Sequence, residues 1–483
     1  MLALTVHRAS STVRPPAAII HRPSARRDMI RLFNHYLSVR IVALTITEAL
    51  VLVQALMLGH HLRLNSTDQP YPEAALFVVV LMTSMSAVGM YQDVLLSWRQ
   101  TFQKLIAAYA VALLLMGVVF YLFQDVYVGR GVLLYSAFIS LIGIALVRLV
   151  FSRLSGIDSF KRRMLLLGSP DEMRQFQTQL QSNPRLRNLK VCGTYEVQSD
   201  QVAGLTPGSQ NHDRLLDIVR GQRISEIVVA VKDQRGGVLP LRQLLDCRLA
   251  GVKVMDTVSF QERESGLLPL EGLRASWLLS MDGFVVGGWR DSIKRAFDVG
   301  ASALLLLLAL PVMLLAMAAI YIESGAPVLY RQQRVGENGK PFTILKLRSM
   351  RHDAEKNGNV RWAQKNDSRV TRVGRVIRLT RIDELPQLIN VLRGDMSFVG
   401  PRPERPEIVA QLREQIPFYE LRHSLKPGIT GWAQVRYSYT SSLEAAKMKQ
   451  QFDLYYVKNH SLLLDLLIVI ETLEVVVLRK GAL

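Results

Sequence analysis

Apolar residues in the first third of the chain fall into four long blocks, with none of the alternation of a half-buried strand. The blocks run Leu37–Gly59, Ala74–Met90, Lys104–Phe123 and Val132–Phe151. Each is near the ~20 residues that cross a bilayer as a helix, so four transmembrane helices are predicted over 37–152. The polar stretches between them set an orientation. Residues 1–36 are rich in Arg, Ser and Pro and hold almost no acid, which predicts a basic disordered arm. No continuous apolar core precedes Leu37, so the arm does not read as a cleaved signal peptide. The first loop is near neutral, the second carries Arg99 and Lys104, and Arg153, Lys161, Arg162 and Arg163 follow the fourth block. Positive charge stays on the cytoplasmic side, so both ends of the bundle are expected there. Glu48 lies inside the first block, where an acid needs a partner, and Arg40 and Arg148 are the candidates.

From Lys161 the pattern changes. RRMLLLGS, LKVCGTYEV, ISEIVVAV and AGVKVMD read as strands, and amphipathic segments between them read as helices. Strands alternating with helices predict a Rossmann-like parallel α/β domain over 160–258. Its first strand ends in Gly168-Ser169-Pro170 and lacks the G-x-G-x-x-G pattern, and Pro170 removes an N–H that would cradle a pyrophosphate. No dinucleotide is expected; a scaffold, a dimerisation surface or a degenerate regulatory pocket is. Residues 259–288 read as a linker to a mixed α/β domain over 289–483.

A fifth apolar block, Phe297–Ile322, has two features that oppose a simple span. Pro311 lies near its centre, where it costs about 3 kcal/mol in an unbroken helix. Both flanks are basic, with Arg290, Lys294 and Arg295 before it and Arg331 and Arg334 after it. A helix that enters the membrane, breaks at Pro311 and returns satisfies both flanks. A kinked true span is the alternative. Near the C-terminus, residues 462–478 are apolar but interrupted by Asp465, Glu471 and Glu474, which predicts an interfacial or core-packing helix.

The densest chemistry lies in Arg378–Glu404. Ile382, Leu385, Leu388, Ile389 and Leu392 recur at helical spacing, and Pro386 fits only a first turn, so a helix is predicted to start near Asp383. Asp383 and Glu384 form an adjacent acid pair among Arg375, Arg378, Arg381 and Arg402. A helix N-terminus and several arginines suit a phosphate. A carboxylate nucleophile attacking a pyrophosphate needs such cations and a metal to cancel charge. A capping Asp with a first-turn Glu is the plain alternative. Pro401 and Pro403 would stiffen the backbone around Arg402. The turn GENGKPF, with Lys346 on the strand-like run after it, is a weaker phosphate candidate. The polar run 352–368 reads as a surface loop.

Hydrophobic residues make up 49% of 483, yet the formal net charge is +19. Membrane spans with basic cytosolic faces account for both. Nucleic acid is not an expected partner, since no zinc-finger or RNP-like spacing accompanies the charge. Cys192 and Cys247 are too few for a disulfide framework and suit a reducing compartment.

IDELPQLINVLRGDMSFVGPRPE (382–404) resembles the signature of the bacterial sugar transferases, the polyprenyl-phosphate hexose-1-phosphate transferases. KRAFDVG (294–300), YRQQRVGENGKPFTILKLRSM (330–350), SRVTRVGRVIR (368–378) and LKPGITGWAQV (425–435) resemble further blocks in family order. The N-terminal half is similar to the longer members, with four membrane helices and a Rossmann-like domain, of the undecaprenyl-phosphate glucose phosphotransferase type. The resemblance implies a bacterial inner-membrane enzyme with its catalytic domain on the cytoplasmic face and a re-entrant helix. It implies Asp383 as nucleophile, Glu384 as ligand to Mg²⁺, and Arg402 as a phosphate-binding residue. Lys346, Arg375, Arg378 and Arg381 are weaker candidates for the same work. The implied substrates are a UDP-sugar, glucose before galactose, and undecaprenyl phosphate, and UMP is the implied by-product. Membrane lipid, a homodimer and downstream glycosyltransferases of a polysaccharide pathway are the expected partners. Two other readings are a membrane-anchored nucleotide-sugar dehydratase or epimerase and a non-enzymatic assembly scaffold. The missing glycine fingerprint and the absence of a plausible Tyr-x-x-x-Lys pair speak against the first.

Overall fold

In the computed structural model, described residues are 29–32, 35–65, 70–91, 98–126, 128–155, 162–182, 189–196, 214–231, 239–271, 273, 288–351, 369–437 and 442–477. The arm over 1–28, the whole 352–368 loop and residues 274–287 of the expected linker lie outside them. The chain divides into two compact units: an α/β unit over Arg162–Gln177 and Leu189–Asp256, and a larger unit that includes the apolar bundle and everything from Thr257 onward.

The α/β unit is a four-stranded parallel sheet. Its strands are β3 (Arg162–Gly168), β4 (Leu189–Glu196), β5 (Glu226–Ala230) and β6 (Lys253–Asp256), in spatial order β4-β3-β5-β6. Helices α5 (Pro170–Ser182), α6 (Arg214–Gly221) and α7 (Leu241–Leu249) alternate with the strands, as the pattern predicts. β5 is buried throughout, as a central parallel strand should be. Gly168 ends β3 so close to Ala230 that a Cβ would meet its carbonyl oxygen.

In the larger unit, the apolar blocks form α1 (Val39–Leu64), α2 (Tyr71–Ala87), α3 (Trp98–Leu122) and α4 (Arg130–Ser155). α1, α3 and α4 are long and apolar enough to cross a membrane; α2, with 17 residues, is shorter, at the lower bound of a span. α1 and α4 approach closely where Gly59 meets Ser136 and Gly143 meets Val51, the small-residue contact that lets backbones pack in lipid. Leu114, Leu134 and Phe138 point outward and are more than half exposed, as lipid-facing side chains are. Glu48 is fully buried and pairs with Arg148 at 2.7 Å, with the Tyr91 hydroxyl donating to its other oxygen at 2.7 Å. Of the two candidates, Arg148 is the partner these contacts identify.

Three expectations about this unit need correction. First, the basic arm ends earlier than residue 36. β1 (Met29–Leu32) and β2 (His35–Ser38) form an antiparallel pair, and buried His35 bonds the Tyr455 hydroxyl at 2.9 Å. Second, the linker expected over 259–288 begins with structure. α8 (Thr257–Ser265) places buried Glu262 against Lys458 at 2.7 Å and Asn459 at 3.1 Å. The Trp432 indole N–H donates to the Gly266 carbonyl at 2.7 Å. Third, the fifth block does not break at Pro311. It is one helix, α9 (Trp289–Ser324), running through the proline. Pro311 still lacks the N–H that would bond the Leu307 carbonyl, but leucine-, alanine- and methionine-rich turns on both sides keep the helix going.

Both ends of α9 are held by the same fold. At the start, Arg295 donates to the carbonyls of Val391 and Leu392 at 2.6 and 2.9 Å. At the end, Glu323 accepts from the N–H groups of Arg372 and Val373 at 2.8 and 3.0 Å. Between them Leu304, Leu307, Leu308, Leu314 and Leu315 are exposed.

β7 (Leu329–Val335) and β8 (Pro341–Leu347) form a hairpin. Next come α10 (Arg372–Leu379), a 3₁₀ turn (Ile382–Glu384) and α11 (Gln387–Arg393). β9 (Ser397–Val399) pairs in parallel with β10 (Gly428–Thr430). α12 (Pro406–Gln415), α13 (Trp432–Arg436), α14 (Leu443–Asn459) and α15 (Leu462–Val477) complete the unit. α15 is the expected core-packing helix: it packs on α2, and Asp465 and Glu471 are paired. Asp465 meets Lys294 at 2.9 Å and the Tyr456 hydroxyl at 2.7 Å, and Glu471 meets Arg436 at 2.6 Å.

Candidate active site

The acid pair does not open a helix. Asp383 and Glu384 sit on the 3₁₀ turn, and α11 begins at Gln387 behind Pro386. The predicted helix start near Asp383 is therefore displaced. The phosphate-binding N-terminus it implied falls away, and so does the capping role. What places the pair is Arg381, held at φ 59°, a left-handed backbone that a non-glycine residue adopts at a cost. It turns the chain sharply between α10 and the acids. Behind the turn, Asn390 locks α11 to β8. Its carbonyl accepts from Leu345 N–H at 3.0 Å and its amide donates to Thr343 at 2.8 Å. Gly374 brings α10 against the end of β8, where a Cβ would collide with the Ser349 carbonyl.

Three chain segments meet at Glu384. Its Oε1 accepts from Lys346 Nζ at 3.0 Å and from Arg402 Nη2 at 2.7 Å. Lys346 lies next to last on β8, and Arg402 lies between its two prolines after β9. The Arg402 loop is also pinned through its backbone. Arg422 donates to the Arg402 carbonyl at 2.9 Å and Arg334 to the Pro403 carbonyl at 3.2 Å. Arg422 is itself buried, paired with Asp453 at 2.8 Å and bonded to the Tyr419 hydroxyl at 2.6 Å. The sequence reading missed Arg422, Asp453 and Asn390. Arg422 stands in a polar segment that reads as surface, and nothing local signals its partner on α14.

The two acids have opposite electrostatics. Asp383 is buried, and its Oδ1 has no hydrogen-bond partner among the described residues. Burial first, and the neighbouring Glu384 charge second, push its carboxyl up to about 6; Lys346, Arg381 and Arg378 pull against that. For Glu384, burial also pushes upward, but the Arg402 and Lys346 charges overcome it and hold the group well below the usual carboxylate range. Glu384 is thus a fixed anion that organises two cations. Asp383 is an anion at pH 7 with unusual basicity and an unpaired oxygen, which is chemically a competent nucleophile.

Arg378 and Arg381 are half-buried and close enough for their charges to act on Asp383. Arg375 projects from α10 into solvent and is not among the charges that dominate there. The glycine-rich turn is a β-hairpin turn, with Asn338 and Gly339 at positive φ. It puts Lys340 six residues along the strand from Lys346, about 20 Å away.

Four cations facing two carboxylates suit a diphosphate. Mg²⁺ takes one or two protein carboxylates and completes its shell with water and phosphate oxygens. The Lys346 and Arg402 contacts of Glu384 fall on Oε1, so its Oε2 could face such an ion, with the remaining ligands coming from water and substrate. No cluster of three potential ligands occurs among the described residues.

Residues 289–479 match the family model of the bacterial sugar transferases, and residues 86–236 match one described as a CoA-binding domain. A UDP-glucose:undecaprenyl-phosphate glucose-1-phosphate transferase of Caulobacter vibrioides is 49% identical over 184 residues, 38% of this chain and 68% of that one. An N-acetylgalactosaminephosphotransferase acting on undecaprenyl phosphate, from Aeromonas hydrophila, is 42% identical over 241 residues, 50% of this chain and 56% of the relative. A glucose-1-phosphate transferase of Escherichia coli is 36% identical over 276 residues, 56% of this chain and 59% of the relative. The blocks that pack around Glu384 lie inside the matched region, and this chain belongs to the bacterial sugar transferase family.

Proposed function

We propose that the protein transfers a hexose 1-phosphate from a UDP-sugar to undecaprenyl phosphate, releasing UMP, and so starts the repeat unit of an exopolysaccharide or related glycan. The observation that carries this reading is the buried, unpartnered Asp383 Oδ1 beside a Glu384 clamped by Lys346 and Arg402. Asp383 attacks the phosphorus next to the sugar. The bond from that phosphorus to the bridging oxygen breaks, and UMP leaves with the electron pair. An oxygen of undecaprenyl phosphate then attacks the same phosphorus, and the bond to Asp383 breaks to regenerate the carboxylate. Arg402, Arg378 and Arg381 hold the phosphates, and Lys346 keeps Glu384 in place. Glu384 would hold Mg²⁺, which offsets diphosphate charge when bound. We place the site on the cytoplasmic face of the inner membrane, where a nucleotide sugar is available. A bend of the continuous α9 at Pro311, where the Leu307 carbonyl lacks its N–H, would let its exposed leucines dip into the lipid while its two ends return to the same fold. Relatives are named for glucose and for N-acetylgalactosamine, and we take UDP-glucose as the first donor to test. A homodimer and the next glycosyltransferases of the pathway are the partners this role implies.

The test is covalent trapping. Full-length protein with Mg²⁺ and UDP-glucose should release about one UMP per site without lipid acceptor and carry label from a phosphorus-labelled sugar phosphate. Undecaprenyl phosphate should discharge the label, and Asp383→Asn should never acquire it. UMP release that strictly requires the lipid, with no label at Asp383, would remove the covalent mechanism.

A further inference from the structure

The membrane bundle contains a cavity that the transfer reaction does not use. It encloses about 300 Å³ between the start of α1, the start of α3 and the end of α4. Leu44, Trp98, Thr101, Arg148, Ser152 and Arg153 line it. These are the helix ends that carry the bundle's positive charge.

The cavity's polar wall is built from a buried group. Arg148 is 7% exposed. Its Nε and Nη2 reach Glu48 at 2.7 and 3.3 Å, and its Nη1 donates to the Met90 carbonyl at 3.1 Å. A guanidinium has five N–H groups, so these contacts leave two without an acceptor among the described residues. Arg153, one turn further along α4, is exposed and makes no ion pair or hydrogen bond among the described residues. Thr101 adds a hydroxyl to the lining, the Ser152 hydroxyl donates to the Leu149 carbonyl of its own helix at 2.9 Å, and Trp98 is half exposed at the rim, where an indole favours the headgroup level of a bilayer. The Glu48 charge offsets Arg148, so Arg153 leaves the cavity with one net positive charge. The outer wall is apolar: Leu149 lines the cavity and Phe102 lies exposed beside Thr101.

We propose that this cavity seats the phosphate of one anionic phospholipid, with its acyl chains running down the apolar faces of α3 and α4. The volume suits a phosphodiester headgroup. The net charge selects an anionic lipid over a zwitterionic one, as basic pockets between transmembrane helices do. The Glu48–Arg148 pair then has a reason to sit in the bundle: it fixes a donor-rich floor without stranding a lone charge in lipid. The inference rests on the reading of the bundle as membrane-spanning, with its basic end at the cytoplasmic surface.

The test is native mass spectrometry of the full chain released from nanodiscs of equal phosphatidylglycerol and phosphatidylcholine. One phosphatidylglycerol should be retained in about fivefold or greater excess over phosphatidylcholine. Arg153→Gln should reduce that preference about fivefold, and Arg153→Lys should preserve most of it. A melting temperature unchanged from wild type would show that Arg153→Gln is folded. Equal retention of both lipids, or a preference untouched by Arg153→Gln, would overturn the proposal. So would displacement of the lipid by millimolar glycerol phosphate, which would mark a free-phosphate site. The readout is lipid mass, so a failure of the proposed transfer reaction would not mimic a failure here.

Discussion

Asp383→Asn should stabilise the protein while abolishing the covalent label, and Glu384→Gln, one residue away, should do the opposite to stability. Asp383 is held at about 6 where an ordinary aspartate lies at 3.8. Keeping that carboxylate ionised in the fold at pH 8 therefore costs about 3 kcal/mol, which an amide of the same shape would not incur. The sign follows from linkage. A raised folded pKa means the fold prefers the protonated group, so wild type is penalised above pH 6 and progressively relieved as pH falls from 6 towards 3.8. The gain from Asp383→Asn should be full at pH 8 and about half at pH 5. For a catalytic unit of this size the full gain is roughly 5–10 °C in melting temperature. Glu384→Gln instead leaves Lys346 and Arg402 facing each other without their shared anion. Their side chains are 18% and 24% exposed, which softens the loss to about 3 kcal/mol, the lower end for a broken buried pair. Thermal unfolding of the two variants in detergent at pH 8 and pH 5 reads both signs. A fall in melting temperature for Asp383→Asn at pH 8, or a gain that does not shrink at pH 5, would refute this assignment of strain to Asp383.

Further outcomes follow from the same geometry. The acceptor-independent UMP burst should slow about tenfold per pH unit below pH 6, as Asp383 takes up its proton, and a rate flat to pH 5 would argue against it as nucleophile. Glu384→Gln should raise the Mg²⁺ concentration needed for half-maximal UMP release, while no amount of Mg²⁺ should rescue Asp383→Asn; rescue of the latter would mean the two roles are reversed. Single cysteines at Arg290 and Arg331, in a Cys192→Ser, Cys247→Ser background, should both react with an impermeant maleimide from the cytoplasmic side of oriented vesicles. Labelling from opposite sides would make α9 a true span and remove the cytoplasmic site.

What the sequence disclosed and what it hid separate along a physical line. Apolar blocks, alternating strands and the ordered family segments are local signals, so the bundle, the parallel sheet and the cluster of Lys346, Asp383, Glu384 and Arg402 were all legible. Boundaries set by distant packing were not. His35 looks like part of a solvated arm until Tyr455 and Trp432, more than 390 residues away, give it a buried seat. Glu262 looks like linker until Lys458 and Asn459 bind it. Pro311 looks like a stop because its local cost is real, yet tertiary anchors at Arg295 and Glu323 hold both flanks in place while the helix passes through.

The acid pair shows the same line crossing one residue step. Periodicity marked the helix and its buried Leu388, but Ile389 and Leu392 are only half-buried, the buried face being Gln387, Leu388, Asn390 and Val391, and it placed the helix start at Asp383. The chain actually spends Arg381 in a left-handed conformation and Ile382–Glu384 in a 3₁₀ turn before Pro386 and α11. A regular helix would bond the Asp383 and Glu384 backbone to later residues and fan the two side chains about 100° apart. The strained turn instead lets Glu384 reach β8 and the Arg402 loop while Asp383 stays unpartnered. The departure from the local rule therefore falls at the candidate site, as expected when strain at one residue is held by surrounding structure. That structure is identifiable: Asn390 across β8, and Arg422 with Asp453 beneath Arg402.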